Sequence, residues 1–395
     1  MVKPIEYTYD EKGNKVIKKV KINNTIYVCE PPGVVRVDNH PDIIQKILKL
    51  KFSEIPKGLV FLSIDRATIG TIVRESVEYI YGDLYLNIYN SRTLFSIVIP
   101  NTKYDLQEKP YSRKRYLEDL AKIAKILNIK YSINYDTTGY ESDAITFLIP
   151  PQETVERSLM TLKELINAVK NLGIKVKGEK TAEIKNIIDA KLRPWATPQR
   201  IEPPRATVRV LKKRIDNYGE VIVDEIEING KKYEGYYGNY TIPYEEIANL
   251  HLADIPGSLT EIYIENLESI IPILNKLWGG LFVYAVRNGI IVEYRLKYIV
   301  PSAAGPYTID DHCSLIEGCI APKLGFEPED VGGECSCGFS IEISDYLCNV
   351  IEHVKAFAKA IHYCEEELER AIEEARTMFF KELKSWRKKV SSKTS

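Results

Sequence analysis

The sequence predicts an α+β protein made by tandem duplication: two lobes of mixed antiparallel sheet and helix, joined by a Pro-rich basic connector. Three observations predict it. DEKGNKVIKKVKINNTIY, Asp10 to Tyr27, aligns without a gap on DNYGEVIVDEIEINGKKY, Asp216 to Tyr233. The segments after each copy recur in the same order. Between the copies, 173–206 gathers Pro194, Pro198, Pro203 and Pro204 among lysines and arginines. Internal repeats set the architecture before any motif is read.

Each copy opens on a hairpin. Asp10/Asp216, Gly13/Gly219, Ile22/Ile228, Asn23/Asn229 and Tyr27/Tyr233 are identical, and Val16/Ile222, Ile17/Val223 and Val20/Ile226 stay apolar. Apolar–polar alternation around an Asn-Asn or Asn-Gly turn is a hairpin signature. EIPKGLVFLSI at 54–64 then matches DIPGSLTEIYI at 254–264. Helices are expected over 67–81 and 267–278, ending near Gly82 and near Gly279 and Gly280. The strand pairs LYLNIYNSRTLFSIVIP and LFVYAVRNGIIVEYRLKYIVP turn at Asn90-Ser91-Arg92 and at Arg287-Asn288-Gly289. A helix, an extended pair and a long amphipathic helix, 153–171 or 346–375, complete each copy. The expected domains are a first repeat at 1–172, a connector at 173–206 with a short helix around 181–191, a second repeat with a cysteine cluster at 207–375, and a basic tail at 376–395.

Hydrophobic residues at 45% and charged residues at 28% describe an ordinary soluble globular chain. No run approaches the roughly 18 apolar residues of a membrane helix. The charged N-terminus lacks the apolar core of a secretory signal, so a cytoplasmic protein without a membrane partner is expected. Four glutamines (Gln45, Gln107, Gln152, Gln199) accompany abundant Ile, Lys, Glu and Tyr. That bias suits a thermophilic archaeon, or one of its viruses or plasmids, where intracellular disulfides are common.

The net charge of −1 conceals segregation: +4 over 1–172, +8 over 173–215, −19 over 216–375 and +6 over 376–395. Lys18, Lys19 and Lys21 stand where the second copy has Asp224, Glu225 and Glu227. The reversal predicts complementary faces, between the copies or between subunits. At about 0.2–1 kcal/mol per cross-strand pair, they would set register and partner choice more than stability. Two solvated faces are the plainer alternative.

Six of the seven cysteines (Cys313, Cys319, Cys335, Cys337, Cys348, Cys364) lie in the second copy, and only Cys29 in the first. The fold therefore does not require the cluster. Cys313, Cys319, Cys335 and Cys337, with His312, supply donors for zinc, although C-x5-C and C-x-C replace the usual knuckles. Cys313 and Cys319 reach one metal only if Gly318 ends their helix. A direct Cys335–Cys337 bridge would be strained in extended chain, whereas bridges from Cys313 or Cys319 to Cys335 or Cys337 fit. Cys348 and Cys364 sit too far apart along one expected helix to pair. Buried thiols that pack like small hydrophobes and a redox catalyst complete the alternatives, the last without its C-x-x-C at a helix start. The balance favours a structural role.

No phosphate loop, dinucleotide fingerprint, zincin, nucleophile elbow or EF-hand motif occurs. His362, Glu365 and Glu366 have metal-ligand spacing, but EEELERAIEEAR predicts a solvated helix face. Asp310 and Asp311 beside His312 read as N-cap residues or as a carboxylate–imidazole pair. Lys191, Arg193, Arg209, Lys212, Lys213, Arg214, Lys388 and Lys389, near Trp195 and Trp386, could track a nucleic-acid backbone. A pI near 6.6 and an acidic second copy oppose a dedicated binder. The 26 tyrosines against 10 phenylalanines suit half-buried sheets and interfaces. The first expectation is a non-enzymatic binding or assembly protein, meeting itself or a protein partner through charged and Tyr-rich surfaces. A nucleic-acid-associated protein is the second, and an enzyme with a zinc or thiol centre in the second copy the third.

Overall fold

A computed structural model describes residues 2–394 apart from 23, 38–40, 57–60, 78–79, 100–112, 136–141, 192–198, 297–308 and 332–335. Among the described residues, strands β1 (Val2–Tyr9), β2 (Lys15–Ile22) and β3 (Thr25–Val28) form a three-stranded antiparallel sheet. Next come β4 (Val34–Val37), α1 (Pro41–Leu48), β5 (Phe61–Ile64), α2 (Arg66–Val73), β6 (Asp83–Ile88) and β7 (Thr93–Ile99). After them α3 (Arg113–Leu127), β8 (Lys130–Asn134), β9 (Asp143–Ile149) and α4 (Val155–Lys191) complete the first lobe. Its larger sheet has the order β4-β5-β6-β7-β9-β8.

The second lobe starts with a three-stranded sheet of β10 (Val208–Ile215), β11 (Val221–Ile228) and β12 (Lys231–Glu234). It continues through β13 (Asn239–Pro243), α5 (Tyr244–Ile247), β14 (Glu261–Glu265), β15 (Gly279–Val286) and β16 (Gly289–Leu296). Then follow α6 (Ile309–Leu315), β17 (Glu327–Glu329), β18 (Ser336–Glu342) and α7 (Leu347–Thr394). The larger sheet has the order β13-β14-β15-β16-β18-β17.

The two sheet systems share their pairing as well as their order. In each larger sheet the first two strands run parallel and every other neighbouring pair antiparallel. The first hairpins break register at matching places: Pro4/Glu6 and Glu6/Tyr7 in one, Val210/Lys212 and Lys212/Lys213 in the other. Glycines mark a shared close approach. A Cβ on Gly82 would lie 2.6 Å from the Val98 carbonyl, and one on Gly279 would lie 2.6 Å from that of Arg295. The last helices start alike, Val155 N–H donating to Leu50 and Leu347 N–H to Leu250.

Alternation builds the cores. β7 and β9 bury every second residue, so Phe95 and Phe147 stack with ring centroids 5.9 Å apart. In α7, Val350, Val354, Phe357, Ile361, Cys364 and Leu368 recur at helical spacing and are all buried. Phe357 meets Phe326 and Phe339 there. Burying such a side chain is worth about 1.5–3 kcal/mol, so the sheet–helix seams carry most of the stability.

Four expectations change. The helix expected over 67–81 ends at Val73, where Arg74 is left-handed at φ 54°. The helix expected over 267–278 is two 3-10 turns, Leu267–Ser269 and Pro272–Lys276, because Pro272 brings no N–H and Asn266 is left-handed at φ 63°. Helix α4 continues to Lys191 through residues read as connector. Chain at 200–206 is extended but tied down. Ile201 exchanges hydrogen bonds with Asn349 at 2.9 and 2.8 Å, and Arg205 grips Asp254 through two at 2.6 Å. Helix α7 runs unbroken past 375 to Thr394. Contacts divide the chain into one unit of Met1–Glu179 with Ile372–Ser395 and another of Lys180–Val300 with Ile309–Ala371. No described helix is long and apolar enough to cross a membrane.

Candidate functional site

The second lobe encloses a polar centre. Glu365 on α7 and His312 on α6 are 1% and 0% exposed, and Tyr294 and Trp278 beside them 0% and 4%. The Trp278 backbone N–H reaches both Glu365 oxygens at 3.1 Å, and the Tyr294 hydroxyl donates to Oε1. His312 Nε2 lies 3.6 Å from the same oxygen. The imidazole is stacked on Trp278 and tilted against Tyr294, with ring centroids 5.5 Å apart in both cases. A buried carboxylate persists only where donors replace its water, and this one has them. The EEELER run therefore does not form a wholly solvated face, since Glu365 and Glu367 are both buried. His362, three residues before that run, lies 3.4 Å from Glu366.

Cys313, Cys337 and Cys364 adjoin this centre. Cys313, the residue after His312, forms a disulfide with Cys337, their Cα atoms 5.8 Å apart. Cys337 faces Tyr294 across the β16–β18 ladder. Helix α6 passes at Ile316 into a π-turn, Ile316–Ile320, which carries Gly318 and places Cys319 in the core. Cys319 and Cys364 are buried thiols, and burial pushes the Cys364 thiol well above its ordinary value. Of the four thiols considered for zinc, Cys313 and Cys337 are joined to each other, Cys319 is a buried thiol outside that bridge, and Cys335 lies outside the described residues. Among the described residues no group of three or more His, Cys, Asp or Glu side chains could hold a metal.

The first lobe shows what the centre replaces. Tyr294 pairs with Cys337 where Ile97 pairs with Ile145. Counted from the matched helix starts, Cys364 and Glu365 fall at Leu172 and Gly173. The matching positions of the first lobe, Ile97, Ile145 and Leu172, are apolar and buried.

The small sheets are the opposite case. β10 is an edge strand with seven of its eight residues exposed, including Val210, Leu211 and Ile215 at 40%, 41% and 71%. β1 is the matching edge and exposes Ile5, Tyr7 and Tyr9, and β3 exposes Ile26 and Val28. Tyr218, at the β10–β11 turn, is 92% exposed. Most soluble proteins shorten or cover such edges, because their free N–H and C=O groups accept another strand.

Of the reversed residues, Lys18, Lys19, Asp224, Glu225 and Glu227 are matched inside their own sheets. Glu6 on β1 pairs with Lys18 at 3.0 Å and Lys19 at 2.8 Å, and bonds from Lys19 and then Lys18 hold its carboxyl below the usual range. In the second lobe Arg214 pairs with Asp224 at 3.0 Å, Lys232 with Glu225 at 3.5 Å and Arg209 with Glu227 at 3.8 Å. The partners of these five residues lie on neighbouring strands of their own sheet.

The basic residues separate into two groups. Arg209, Lys212, Lys213 and Arg214 all lie on β10, with Arg209 and Arg214 engaged as above and Lys212 opposite Glu225. Arg214 also covers the Tyr237 ring at 5.0 Å. Lys388 and Lys389 are exposed near the end of α7. The Lys191 side chain, Arg193 and Trp195 lie outside the described residues. Sequence reasoning missed β10 itself, whose two exposed faces remove the alternation that reveals a strand. Comparison with protein families, with characterised proteins and with solved structures gives no match.

Proposed function

We propose that the chain is a non-enzymatic binding or assembly protein, built from two lobes related by duplication, that associates through the edges of its small sheets. The carrying observation is β10, an eight-residue edge strand exposed over seven residues with three large aliphatic side chains. Shared strand order, pairing, register breaks and glycine contacts support the duplication. Self-association is the form to test first, because each chain carries two such edges. The lysines and arginines on β10 act as gatekeepers, discouraging indiscriminate pairing while leaving the edge available to a matched strand.

The test is the solution mass of the full chain beside a Val210→Pro variant, which removes one edge N–H and cannot extend a ladder. Association in the wild type and its loss in the variant support the reading. A monomer at every concentration, with no protein partner captured by crosslinking from β10, defeats it.

A nucleic-acid-associated protein is the second reading, favoured by the exposed cations Lys388 and Lys389, whereas on β10 Arg209 and Arg214 are already matched by β11. An enzyme with a zinc or thiol centre is the third. It requires reduction of Cys313–Cys337 and opening of a buried seam, and metal analysis of the reduced protein tests it.

A further inference from the structure

The last turns of α7 pack in the first unit beside α3, and a shallow cleft of about 620 Å³ lies between them. Ile126 of α3 forms its apolar wall, and Lys384, Arg387, Lys388, Ser391 and Ser392 of α7 line the rest. Spacing explains why three cations converge: positions i, i+3 and i+4 share one face of a helix. Trp386 points elsewhere, lining a separate cavity of about 490 Å³ with Phe379, Leu383 and Ala168.

The nearby carboxylates are engaged by other cations. Asp119, on α3, receives two bonds from Arg376 at 2.6 Å. Glu373 pairs with Arg115 and Arg376, and Glu382 with Lys175. Glu118 stands two turns further up α3, about 12 Å along its axis. Lys122 lies over the Phe380 ring at 3.8 Å. Among the described residues, the lining of the cleft therefore keeps a surplus of positive charge. Attraction to the helix dipole explains cations in a last turn, yet Lys384 and Arg387 stand ten and seven residues before Thr394. Ser391 and Ser392 donate to the Arg387 and Lys389 carbonyls at 3.0 Å, so the donors turned outward belong to the cations.

We infer that this α3–α7 cleft binds the phosphate backbone of a nucleic acid, with Lys384, Arg387 and Lys388 as its contacts. The inference rests on the nucleic-acid reading and gives it a place away from β10. Without an aromatic in the cleft, bases have nothing to stack on. Duplex and single strand should therefore bind alike, without sequence preference.

The test is fluorescence anisotropy of the full chain with a labelled duplex and a labelled single strand of random sequence. Three neutralised phosphates predict that duplex affinity falls roughly 40-fold between about 50 and 200 mM salt. The triple variant Lys384→Glu, Arg387→Glu, Lys388→Glu should lose at least tenfold in affinity while its circular dichroism is unchanged. The pair Lys212→Glu, Lys213→Glu on β10 should bind as the wild type does. Binding unaffected by the triple variant overturns the cleft and leaves the nucleic-acid reading standing. No binding of either probe at low salt overturns both. Competition by polyglutamate as strong as that by unlabelled duplex overturns the assignment to phosphate.

Discussion

The two lobes put different groups at the same seam. Where the second lobe places Tyr294, Cys337, Cys364 and Glu365, the first places Ile97, Ile145, Leu172 and Gly173. The apolar version shows that the sheet–helix architecture needs neither cysteines nor a buried carboxylate. What the second lobe gains is specificity, because Glu365 is satisfied only if β15, β16, α6 and α7 all stand in register. Polar networks of this kind can fix one arrangement at a cost in stability.

The largest effect that separates the lobes is expected at Glu365. Glu365→Ala leaves the Trp278 N–H and the Tyr294 hydroxyl buried without their acceptor, and should destabilise the protein by about 3–5 kcal/mol. Urea unfolding measures this. A loss below 1 kcal/mol would show that water or relaxation replaces the carboxylate. The disulfide comes next. It closes a loop with a sequence separation of 24, so Cys313→Ser with Cys337→Ser should cost about 3 kcal/mol. An unchanged urea midpoint would mean that the reduced seam holds equally well. Tyr294→Phe removes one donor and keeps the ring, at an expected cost of about 1–2 kcal/mol. Stabilisation instead would show that the hydroxyl is a burden.

The smallest expected effect is one of pH. Burial pushes His353 below its ordinary 6.5, with Asp345 partly opposing the shift. The unfolded chain therefore binds a proton at 6.5 that the folded chain refuses. Stability present above pH 6.5 is lost as pH falls below it, until the folded state also protonates. His353→Gln should flatten that part of the stability profile, and an identical profile would remove His353 as its cause.

Much of this frame can be read from residues alone. The hairpins at β2–β3 and β11–β12 announce themselves by alternation around Asn turns, and the strand pairs at β6–β7 and β15–β16 do the same. The uneven placing of the cysteines, six in the second half and one in the first, is visible in the sequence. Other features were hidden for physical reasons. Gly173 and Gly178 lower helix propensity, so the run of α4 to Lys191 was not apparent. β10 alternates on neither face. Glu365 sits in a charge run whose members look alike until packing buries one of them. The reversal from lysines to acids on the hairpins suggested attraction between copies, yet Glu6, Arg209, Arg214 and Lys232 on adjacent strands already supply the opposite charges.

Association through the strand edges is tested most directly by the solution mass of the full chain, measured by light scattering across a range of concentrations. A mass at a multiple of 45.2 kDa that returns to 45.2 kDa in Val210→Pro is the expected result. A wild-type mass of 45.2 kDa throughout, or an oligomer that Val210→Pro leaves intact, would contradict it.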